Sequence, residues 1–229
     1  MSRARYTPDV HHRRQLLLTL GASIGLCGLT TSTVANGQVQ PDEIDRYPVA
    51  LDKNCRNGNA RIFDECGSQL VIFQEALIFA NKIRKTLLVS FGAEWCIWCH
   101  VFDAYVNGKY STFEYDFDGQ RALLKEYGGD LAARDAQILH RYVSDAFVLV
   151  HIEGKYSPDG EEVLRRAGAL AHFSGSLPFI FSVTPRGRWA ATFDYRSAET
   201  RREGQDWFRG YNRESLLAEL KGMKAAAST

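Results

Sequence analysis

Two cysteines separated by two residues follow an apolar stretch near the middle of the chain. Residues 86–91 are apolar and β-branched enough for a buried strand, Gly92 ends that strand, and Cys96 and Cys99 come soon after it. The residues that follow place apolar side chains at helical spacing. The sequence therefore predicts a central strand and then a helix that begins near Cys96.

This position gives the two sulfur atoms different chemistry. At the N terminus of a helix, Cys96 lies at the positive end of the helix dipole, beside backbone N–H groups that have no helical partner. We expect this to lower the pKa of its thiol and to make it the attacking sulfur. Cys99, one turn later, can form a disulfide with Cys96 and release a bound partner. Ile97 and Trp98 add no positive charge, which favours a reductase over a strong oxidant.

Two other kinds of site use the same cysteine spacing. Residues 96–100 match the C-x-x-C-H motif that attaches c-type haem, so haem attachment stays open as an alternative. A structural zinc site needs a second close pair of ligands, whereas ten residues separate Cys55 from Cys66. The dithiol interpretation, which we favour, needs no metal and no cofactor.

The N terminus has the organisation of an export signal. Four arginines precede the apolar residues 16–29, and residues 33–35 then suit signal peptidase. We predict that residues 1–35 are an export signal peptide, cleaved near Ala35, and that the protein is periplasmic or otherwise exported. The apolar residues are too few for a membrane span, which takes about 20, so we expect no stable span in the mature chain. Twin-arginine export and lipidation of Cys27 stay open as alternatives.

The charge of the mature chain argues against a nucleic-acid partner. The 229 residues include 28 Lys+Arg and 27 Asp+Glu, of which residues 1–35 hold four and one. The remainder has a net charge of about −2 and lacks the basic excess that binds nucleic acid. With 45% hydrophobic and 24% charged residues, the composition is that of one ordinary globular domain.

Loss of the signal also leaves an even number of cysteines. Cys55, Cys66, Cys96 and Cys99 remain, and exported proteins retain their disulfides. We predict a structural disulfide between Cys55 and Cys66. A second redox-active pair is the alternative.

Hydrophobic spacing outlines the remaining elements. Helical spacing marks four segments, at residues 68–85, 130–143, 161–173 and 212–225. Apolar runs predict three further strands, at residues 147–152, 178–183 and 189–195. The predicted organisation is a lead-in at residues 36–67, whose first part at residues 36–54 is exposed, then a folded domain at residues 68–229, and a long excursion within that domain at residues 107–146. The order of elements combines a parallel βαβ unit with a closing hairpin.

The residues around the cysteines resemble a known family. Residues 91–100, with the sequence FGAEWCIWCH, resemble the active-site stretch of the thioredoxin superfamily, and most closely that of exported thioredoxin-like domains in bacterial thiol:disulfide interchange proteins. Residues 176–179, with the sequence SLPF, are similar to the cis-proline loop of that family. The resemblance covers about residues 68–225. It implies an α/β thioredoxin fold, with a central mixed sheet flanked by helices and a helical insertion at residues 107–146 after the active-site helix.

The resemblance also implies roles for individual residues. Cys96 and Cys99 would be the catalytic pair. Substrate would bind at four nearby positions, which are Trp95, Trp98, Leu177 and Pro178. The partners would be a client protein with disulfides or thiols and an upstream electron-donor protein.

One departure from the family pattern concerns proton transfer. Ser90 stands where similar thioredoxins commonly have a buried aspartate that helps to deprotonate the resolving cysteine. We hypothesise that Glu94 or a water molecule assists Cys99, and the alternative is that Glu94 is only a solvated residue at a strand end. We therefore predict an exported thiol:disulfide oxidoreductase that reduces or exchanges disulfides of client proteins. A thioredoxin-like binding or assembly module with little turnover is the alternative that Ser90 supports.

Overall fold

The computed structural model describes residues 43–52, 54–58, 60–110, 113–117, 120–124, 130–200, 203–204 and 209–229. The chain divides into two compact units, Met1–Gln38 and Val39–Thr229, and the first lies wholly outside the described residues. The predictions about the export signal, its cleavage and Cys27 concern that undescribed part. Within the described ranges, no helix is long and apolar enough to cross a membrane.

The second unit alternates strands and helices. In chain order, its elements are β1 (Arg46–Tyr47), α1 (Gln69–Ile83), β2 (Thr86–Gly92), α2 (Ile97–Val106), β3 (Phe113–Phe117), β4 (Gln120–Leu124), α3 (Asp130–Ala146), β5 (Phe147–Glu153), α4 (Gly160–Ala167), β6 (Phe179–Val183), β7 (Trp189–Thr192), α5 (Tyr195–Ala198), β8 (Glu199–Thr200), β9 (Gly210–Tyr211) and α6 (Arg213–Ala227). Two short 3-10 helices are also present, at Cys55–Gly58 and Leu170–His172.

A five-stranded mixed sheet forms the centre of this unit. Its strands lie in the order β1-β5-β2-β6-β7, in which β1, β5 and β2 are parallel and β6 and β7 are antiparallel to their neighbours. Every residue of β5 is buried, as expected for a parallel strand covered on both faces. This strand order, with helices on both sides, is that of the thioredoxin fold. The predicted fold class is therefore confirmed.

Two hydrophobic clusters hold the helices against the two faces of the sheet. One cluster joins the sheet to α2, α3 and α6, and the other joins it to α1 and α4. Successive residues of β2 alternate between them, because Leu88 packs in the first cluster while Leu87 and Val89 pack in the second. The sheet is thus the middle of three layers, and β2 crosses its centre.

Side-chain caps fix the starts of the first and last helices. Ser68 Oγ accepts a hydrogen bond from the Val71 backbone N–H at the start of α1. Asn212 Oδ1 accepts one from the Ser215 backbone N–H at the start of α6. Short polar side chains satisfy N–H groups that have no helical acceptor. Both caps agree with the predicted helix starts.

Two elements are shorter than their apolar spacing predicts. α4 ends at Ala167 because Gly168 takes a left-handed φ of 73°. A 3-10 helix then covers part of the remaining residues that were predicted as helix. β7 ends at Thr192, and Asp194 caps α5 by accepting a hydrogen bond from the Arg196 backbone N–H.

The lead-in at residues 36–67 is partly buried, whereas its first part was predicted to be exposed. β1 adds an edge strand beside β5, with Arg46 opposite Leu149. Ile44 is only 2% exposed and Phe63 is fully buried. A two-residue strand is too short to produce a period-two pattern, so the sequence gives no sign of it.

The excursion between α2 and β5 contains a hairpin as well as a helix. α3 confirms the predicted helix at residues 130–143 and extends it to Ala146. The predicted helical insertion is therefore present, and it also contains an antiparallel pair that was not predicted, β3 and β4, ahead of α3. The alternation of aromatic and acidic residues at 113–117 is the period-two signal that could have revealed this hairpin.

Candidate active site

Cys96 and Cys99 lie where β2 ends and α2 begins. Cys96 is the N-cap of α2, and its Sγ accepts a hydrogen bond from the Cys99 backbone N–H at 3.2 Å. The two residues form a disulfide, with 5.3 Å between their Cα atoms. The Cys96 sulfur therefore meets the N-terminal N–H groups of a helix, which stabilise negative charge on it once the pair is reduced.

Both cysteines are almost hidden from solvent. Cys96 is 4% exposed and Cys99 is fully buried. A Cβ atom added to Gly92 would lie 2.5 Å from Cys99 Sγ and 2.9 Å from Phe63 Cζ, so only glycine fits beside them. The small exposed part of the pair belongs to Cys96, which is the predicted attacking residue.

The Leu177–Pro178 loop lies beside the cysteine pair although it is distant in sequence. β6 runs antiparallel to β2 with Phe179 opposite Phe91, so the loop before β6 reaches the edge at which β2 ends. The Leu177–Pro178 peptide bond is cis. The Leu177 side chain packs on the small cluster that contains both cysteines. Sheet pairing thus brings two of the predicted substrate-binding residues to the dithiol.

A cavity of about 170 Å³ opens next to this loop. Its lining combines three predicted substrate-binding residues, Trp98, Leu177 and Pro178, with the neighbouring Ser176 and with four residues that follow β7, which are Phe193, Tyr195, Glu199 and Tyr211. The Trp98 ring packs on the Tyr211 ring, with 5.5 Å between their centroids. Arg209 places its guanidinium carbon 5.8 Å from the Trp98 ring centroid. A cavity of about 150 Å³ can hold a benzene molecule, so this one has room for a ring-sized side chain.

The fourth predicted substrate-binding residue lies elsewhere. Trp95 is 38% exposed and does not line this cavity. The sequence reasoning missed Phe193, Tyr195 and Tyr211, because they follow β7 without any motif and only their aromatic character marks them. Tyr211 is 4% exposed, and burial raises the pKa of its hydroxyl, so the cavity wall stays uncharged at that position.

Glu94, two residues before Cys96 in the sequence, is fully buried. Its Oε2 accepts hydrogen bonds from the backbone N–H groups of Ile62 and Phe63, both at 3.1 Å. His100 Nε2 lies 2.7 Å from the Glu94 carbonyl oxygen and 3.3 Å from Oε1. The interpretation of Glu94 as a solvated residue at a strand end is therefore wrong, because the protein supplies the donors that water would otherwise provide.

A second carboxylate, that of Asp103, contacts one side chain from β1 and one from β5. Asp103 Oδ1 lies 3.4 Å from His151 Nε2 and 3.4 Å from Arg46 Nη1. Burial raises the pKa of the Asp103 carboxyl, but His151 and Arg46 together outweigh burial, so the net shift is downward. Burial lowers the pKa of His100 despite the nearby Glu94 carboxylate, so its imidazole is neutral at pH 7.

Ser90 occupies the position where similar thioredoxins have a buried aspartate. It is fully buried, and its Oγ has no hydrogen-bond partner among the described residues. It lies opposite His151 in the pairing of β2 with β5. A hydroxyl is too weak a base to take a proton from a thiol near neutral pH. Glu94, on the short connection between β2 and Cys96, is the buried carboxylate nearest to the pair in sequence.

The other two cysteines also form a disulfide. Cys55 and Cys66 are 11 positions apart in sequence and 6.0 Å apart at Cα. Cys55 is buried, whereas Cys66 is exposed. Within the loop that they close, the Arg56 guanidinium carbon lies 3.5 Å from the centroid of the Tyr156 ring. This pair lies outside any α-helix N terminus and does not line the cavity beside Trp98.

The geometry does not suit the haem alternative. Attachment of a c-type haem requires both sulfurs and the adjacent histidine to face the same porphyrin. Here Cys99 is fully buried, and His100 Nε2 is directed at Glu94. Across the part of the chain that the structure describes, no three His, Cys, Asp or Glu side chains are grouped so that they could hold a metal ion.

Comparisons with known proteins add one partial structural likeness. No family model matches the chain, and no curated protein matches it. Among solved structures, the chain is similar to a disulphide isomerase from Xylella fastidiosa Temecula1, at 18% sequence identity over 56% of this chain and 76% of that chain. The TM-score of 0.37 is too low to transfer a function. The strand order and the place of the cysteine pair establish the fold directly: the chain has the thioredoxin fold, with Cys96 and Cys99 at the N terminus of α2.

Proposed function

We propose that the protein is a thiol:disulfide oxidoreductase that reduces or exchanges disulfides in client proteins. The observation that carries the proposal is the position of Cys96, which caps α2 within bonding distance of Cys99 and beside the Leu177–Pro178 loop. A disulfide that only stabilises a fold needs neither a helix N terminus nor an adjacent cavity. Both features serve a sulfur that must carry negative charge and meet a partner.

The reaction proceeds in two exchange steps. In the reduced protein, the Cys96 thiolate attacks one sulfur of a client disulfide, forms a mixed disulfide and releases the other client sulfur as a thiolate, which takes up a proton. Cys99 then loses its proton, and its thiolate attacks Cys96 Sγ. The Cys96–Cys99 disulfide forms and the second client sulfur leaves. The client disulfide has gained two electrons and the cysteine pair has lost two, so an electron-donor protein must reduce the pair again.

Glu94 is the proposed proton acceptor for the second step, directly or through a water molecule. It is the buried carboxylate closest to the pair in sequence, and two backbone N–H groups together with His100 hold it in place. Ser90 cannot take this role, because a hydroxyl is a poor base. The proposal thus assigns the role to a buried acid on the connection after β2 rather than within the strand.

The cavity beside Trp98 is the proposed client-binding site. It lies next to the Leu177–Pro178 loop, and its volume suits a single ring-sized side chain adjacent to the client cysteine. In this proposal, an extended client segment pairs with the backbone at Leu177. Trp95, which is partly exposed, would contact the client outside the cavity.

We also propose that the protein works outside the cytosol. Export after cleavage near Ala35 rests on the arginines and apolar residues of the first 35 positions. The disulfide between Cys55 and Cys66 is consistent with an oxidising compartment, because cytosolic thiols are kept reduced. The electron donor would then be a second exported or membrane-bound thiol protein.

A binding module with little turnover is the second candidate function. Two observations favour it: Ser90 replaces the usual acid, and Cys96 is only 4% exposed. Such a module would hold a client in the cavity beside Trp98 without exchanging its disulfide.

Reduction of insulin by dithiothreitol, followed by turbidity, separates the two functions. We expect the wild-type protein to accelerate the precipitation of insulin chains and Cys96→Ser to lose the acceleration completely. Ser197→Ala, a substitution on the exposed surface of α5, is the control and should retain the wild-type rate. Equal rates for the wild type and Cys96→Ser would reject the oxidoreductase and favour the binding module.

A further inference from the structure

The segment at residues 60–66 contacts the cysteine pair even though it comes from the lead-in. Phe63 is fully buried and forms a cluster with Cys96 and Cys99. Its ring and Cys99 Sγ both crowd the position that a Gly92 side chain would take. The same ring packs edge-on against His151, with 5.3 Å between centroids. Phe63 therefore covers the resolving cysteine with apolar surface.

The backbone of the same segment holds the neighbouring carboxylate. The Ile62 and Phe63 N–H groups both donate to Glu94 Oε2. One short stretch of chain thus covers the Cys99 sulfur and fixes Glu94.

The disulfide between Cys55 and Cys66 closes the loop that carries this segment. Within that loop, Asp64 Oδ1 accepts hydrogen bonds from the backbone N–H groups of Cys66 and Gly67, at 3.0 and 2.8 Å. The Gln69 side chain, at the start of α1, donates to the Asp64 carbonyl oxygen at 2.7 Å. The segment is therefore tied to α1 at one end and closed by a covalent bond.

We propose that this disulfide-closed segment is part of the redox site, and that Phe63 is a positioning residue that lowers the reduction potential of the Cys96–Cys99 pair. The inference deepens the proposed function and rests on it. Reduction replaces a neutral, compact disulfide with two separated sulfurs, one of which carries negative charge. An apolar ring that excludes water disfavours this reduced form more than the disulfide. The disulfide form is thereby favoured, and the pair becomes a stronger reductant.

Equilibration with glutathione measures this effect. Two glutathione thiols supply the two electrons that reduce the pair, and they become one glutathione disulfide. In the full-length protein, we expect Cys55→Ala/Cys66→Ala to shift the equilibrium about tenfold toward the reduced pair, which corresponds to a potential about 30 mV more positive for a two-electron couple. Phe63→Leu, which keeps the loop closed, should shift it in the same direction by about threefold, because a smaller side chain lets water approach Cys99.

Phe147→Leu provides the matched control. Phe147 is also fully buried, but it lies opposite Thr86, at the end of β2 far from the cysteines. This variant should lose stability as Phe63→Leu does, while its glutathione equilibrium stays within twofold of the wild-type value. A potential is a suitable readout because a merely structural loss would not move it.

A second measurement tests water exclusion directly. In a Cys96→Ser background, the rate at which iodoacetamide modifies Cys99 should rise at least threefold when Phe63→Leu is added, and should stay unchanged with Phe147→Leu. Should Cys55→Ala/Cys66→Ala fail to fold, Phe63→Leu decides alone. Unshifted equilibria in the folded variants, or an equal shift in Phe147→Leu, would overturn the inference and leave the proposed function intact. A wild-type pair that never exchanges with glutathione would overturn both.

Discussion

The protein contains two disulfides that differ in position and surroundings. Cys66 is exposed and its partner Cys55 is buried, whereas Cys96 and Cys99 are at most 4% exposed. Exposure alone would select Cys66 as the reactive sulfur. The features that favour exchange select Cys96 instead, because it has a helix N terminus and an N–H donor at 3.2 Å. If the proposed function holds, reactivity in this protein depends on the stabilisation of a thiolate more than on exposure of the sulfur.

The two disulfides also differ in what they constrain. The first closes a loop between positions 11 apart, and the second joins positions three apart within one helical turn. A long closure restricts the unfolded chain strongly, while a short closure restricts it little. The first pair thus suits stabilisation, and the second can open and close at a smaller cost to the fold. Phe63 lies in the loop that Cys55 and Cys66 close, and it packs against Cys96 and Cys99. It therefore connects the two disulfides.

The largest expected difference between the two disulfides is in mixed-disulfide formation once one cysteine of the pair, Cys99 or Cys66, is replaced. Cys99→Ser can still attack through Cys96 but cannot release its partner, so we expect a stable mixed disulfide with a client peptide and a loss of turnover of about 1,000-fold or more. Cys66→Ser should form no such adduct, because the remaining Cys55 thiol is buried and does not lie at the N terminus of an α-helix. Non-reducing electrophoresis and mass spectrometry identify the adduct. An adduct on Cys55 would reverse the assignment of the two pairs.

The stability of the fold should depend more on the Cys55–Cys66 disulfide than on the Cys96–Cys99 disulfide. We expect Cys55→Ala/Cys66→Ala to lower the free energy of unfolding by about 3 kcal/mol, since loop closure scales with the length of the closed loop. By the same relation, loss of the Cys96–Cys99 closure in Cys96→Ala/Cys99→Ala costs under about 2 kcal/mol. Urea unfolding of both variants under oxidising conditions measures the difference. Equal losses would show that loop length does not distinguish the two pairs.

Glu94 should affect the release step without being essential for the attack. Glu94→Gln keeps an oxygen for the Ile62 and Phe63 N–H groups but cannot accept a proton, so we expect release of a Cys96-linked model thiol to slow about 100-fold. The first attack by Cys96 should change by less than about threefold. Rapid-mixing kinetics with a peptide mixed disulfide separate the two steps.

Glu161→Gln is the control for that experiment, because Glu161 is exposed and pairs with Arg165 on the surface of α4. It should leave both steps unchanged. If Glu94→Gln released the model thiol at the wild-type rate, proton transfer would have to be assigned to a water molecule alone.

Local signals in the sequence were sufficient to predict the framework of the fold and the position of the Cys96–Cys99 pair. The apolar run before Cys96 and the caps at Ser68 and Asn212 are short-range features, and the structure places β2, α1 and α6 where they indicate. What the sequence could not give are the contacts between distant segments. Nothing in the sequence near Phe63 marks it as a neighbour of Cys99, because that contact depends on how the lead-in folds back across the end of β2.

The same limit explains the misreading of Glu94. A charged residue at the end of a strand is usually solvated, and the sequence gives no hint of the two N–H groups that Ile62 and Phe63 bring from 32 and 31 positions away. The cavity residues after β7 were missed for a similar reason, since Phe193 and Tyr211 meet Trp98 only in the folded sheet. Side chains whose role depends on a distant segment are therefore the ones that the structure had to supply.

The smallest expected effect concerns the hydrogen bonds that Asp159 accepts at the start of α1, just after the loop that the Cys55–Cys66 disulfide closes. Asp159 accepts hydrogen bonds from Ser68 Oγ, Ser157 Oγ and the Gln69 backbone N–H, at 2.6, 2.8 and 3.0 Å. Burial raises the pKa of the Asp159 carboxyl, but these donors outweigh it and lower that pKa from 3.8 to about 2. Because the folded pKa lies below the unfolded value, the carboxylate stabilises the fold above about pH 4, and this stabilisation is lost as the pH falls toward 2.

Asp159→Asn should therefore lower the free energy of unfolding by about 1 kcal/mol at pH 7, because hydrogen bonds to a charged carboxylate are stronger than those to a neutral amide, and solvent screening keeps the difference small. Urea unfolding at pH 7 and at pH 2.5 should show a difference from the wild type that largely disappears at the lower pH. Asp135→Asn, at an exposed position on α3, should match the wild type at both values. A difference of the same size at both pH values would mean that the charge of Asp159 contributes nothing to the stability of the fold.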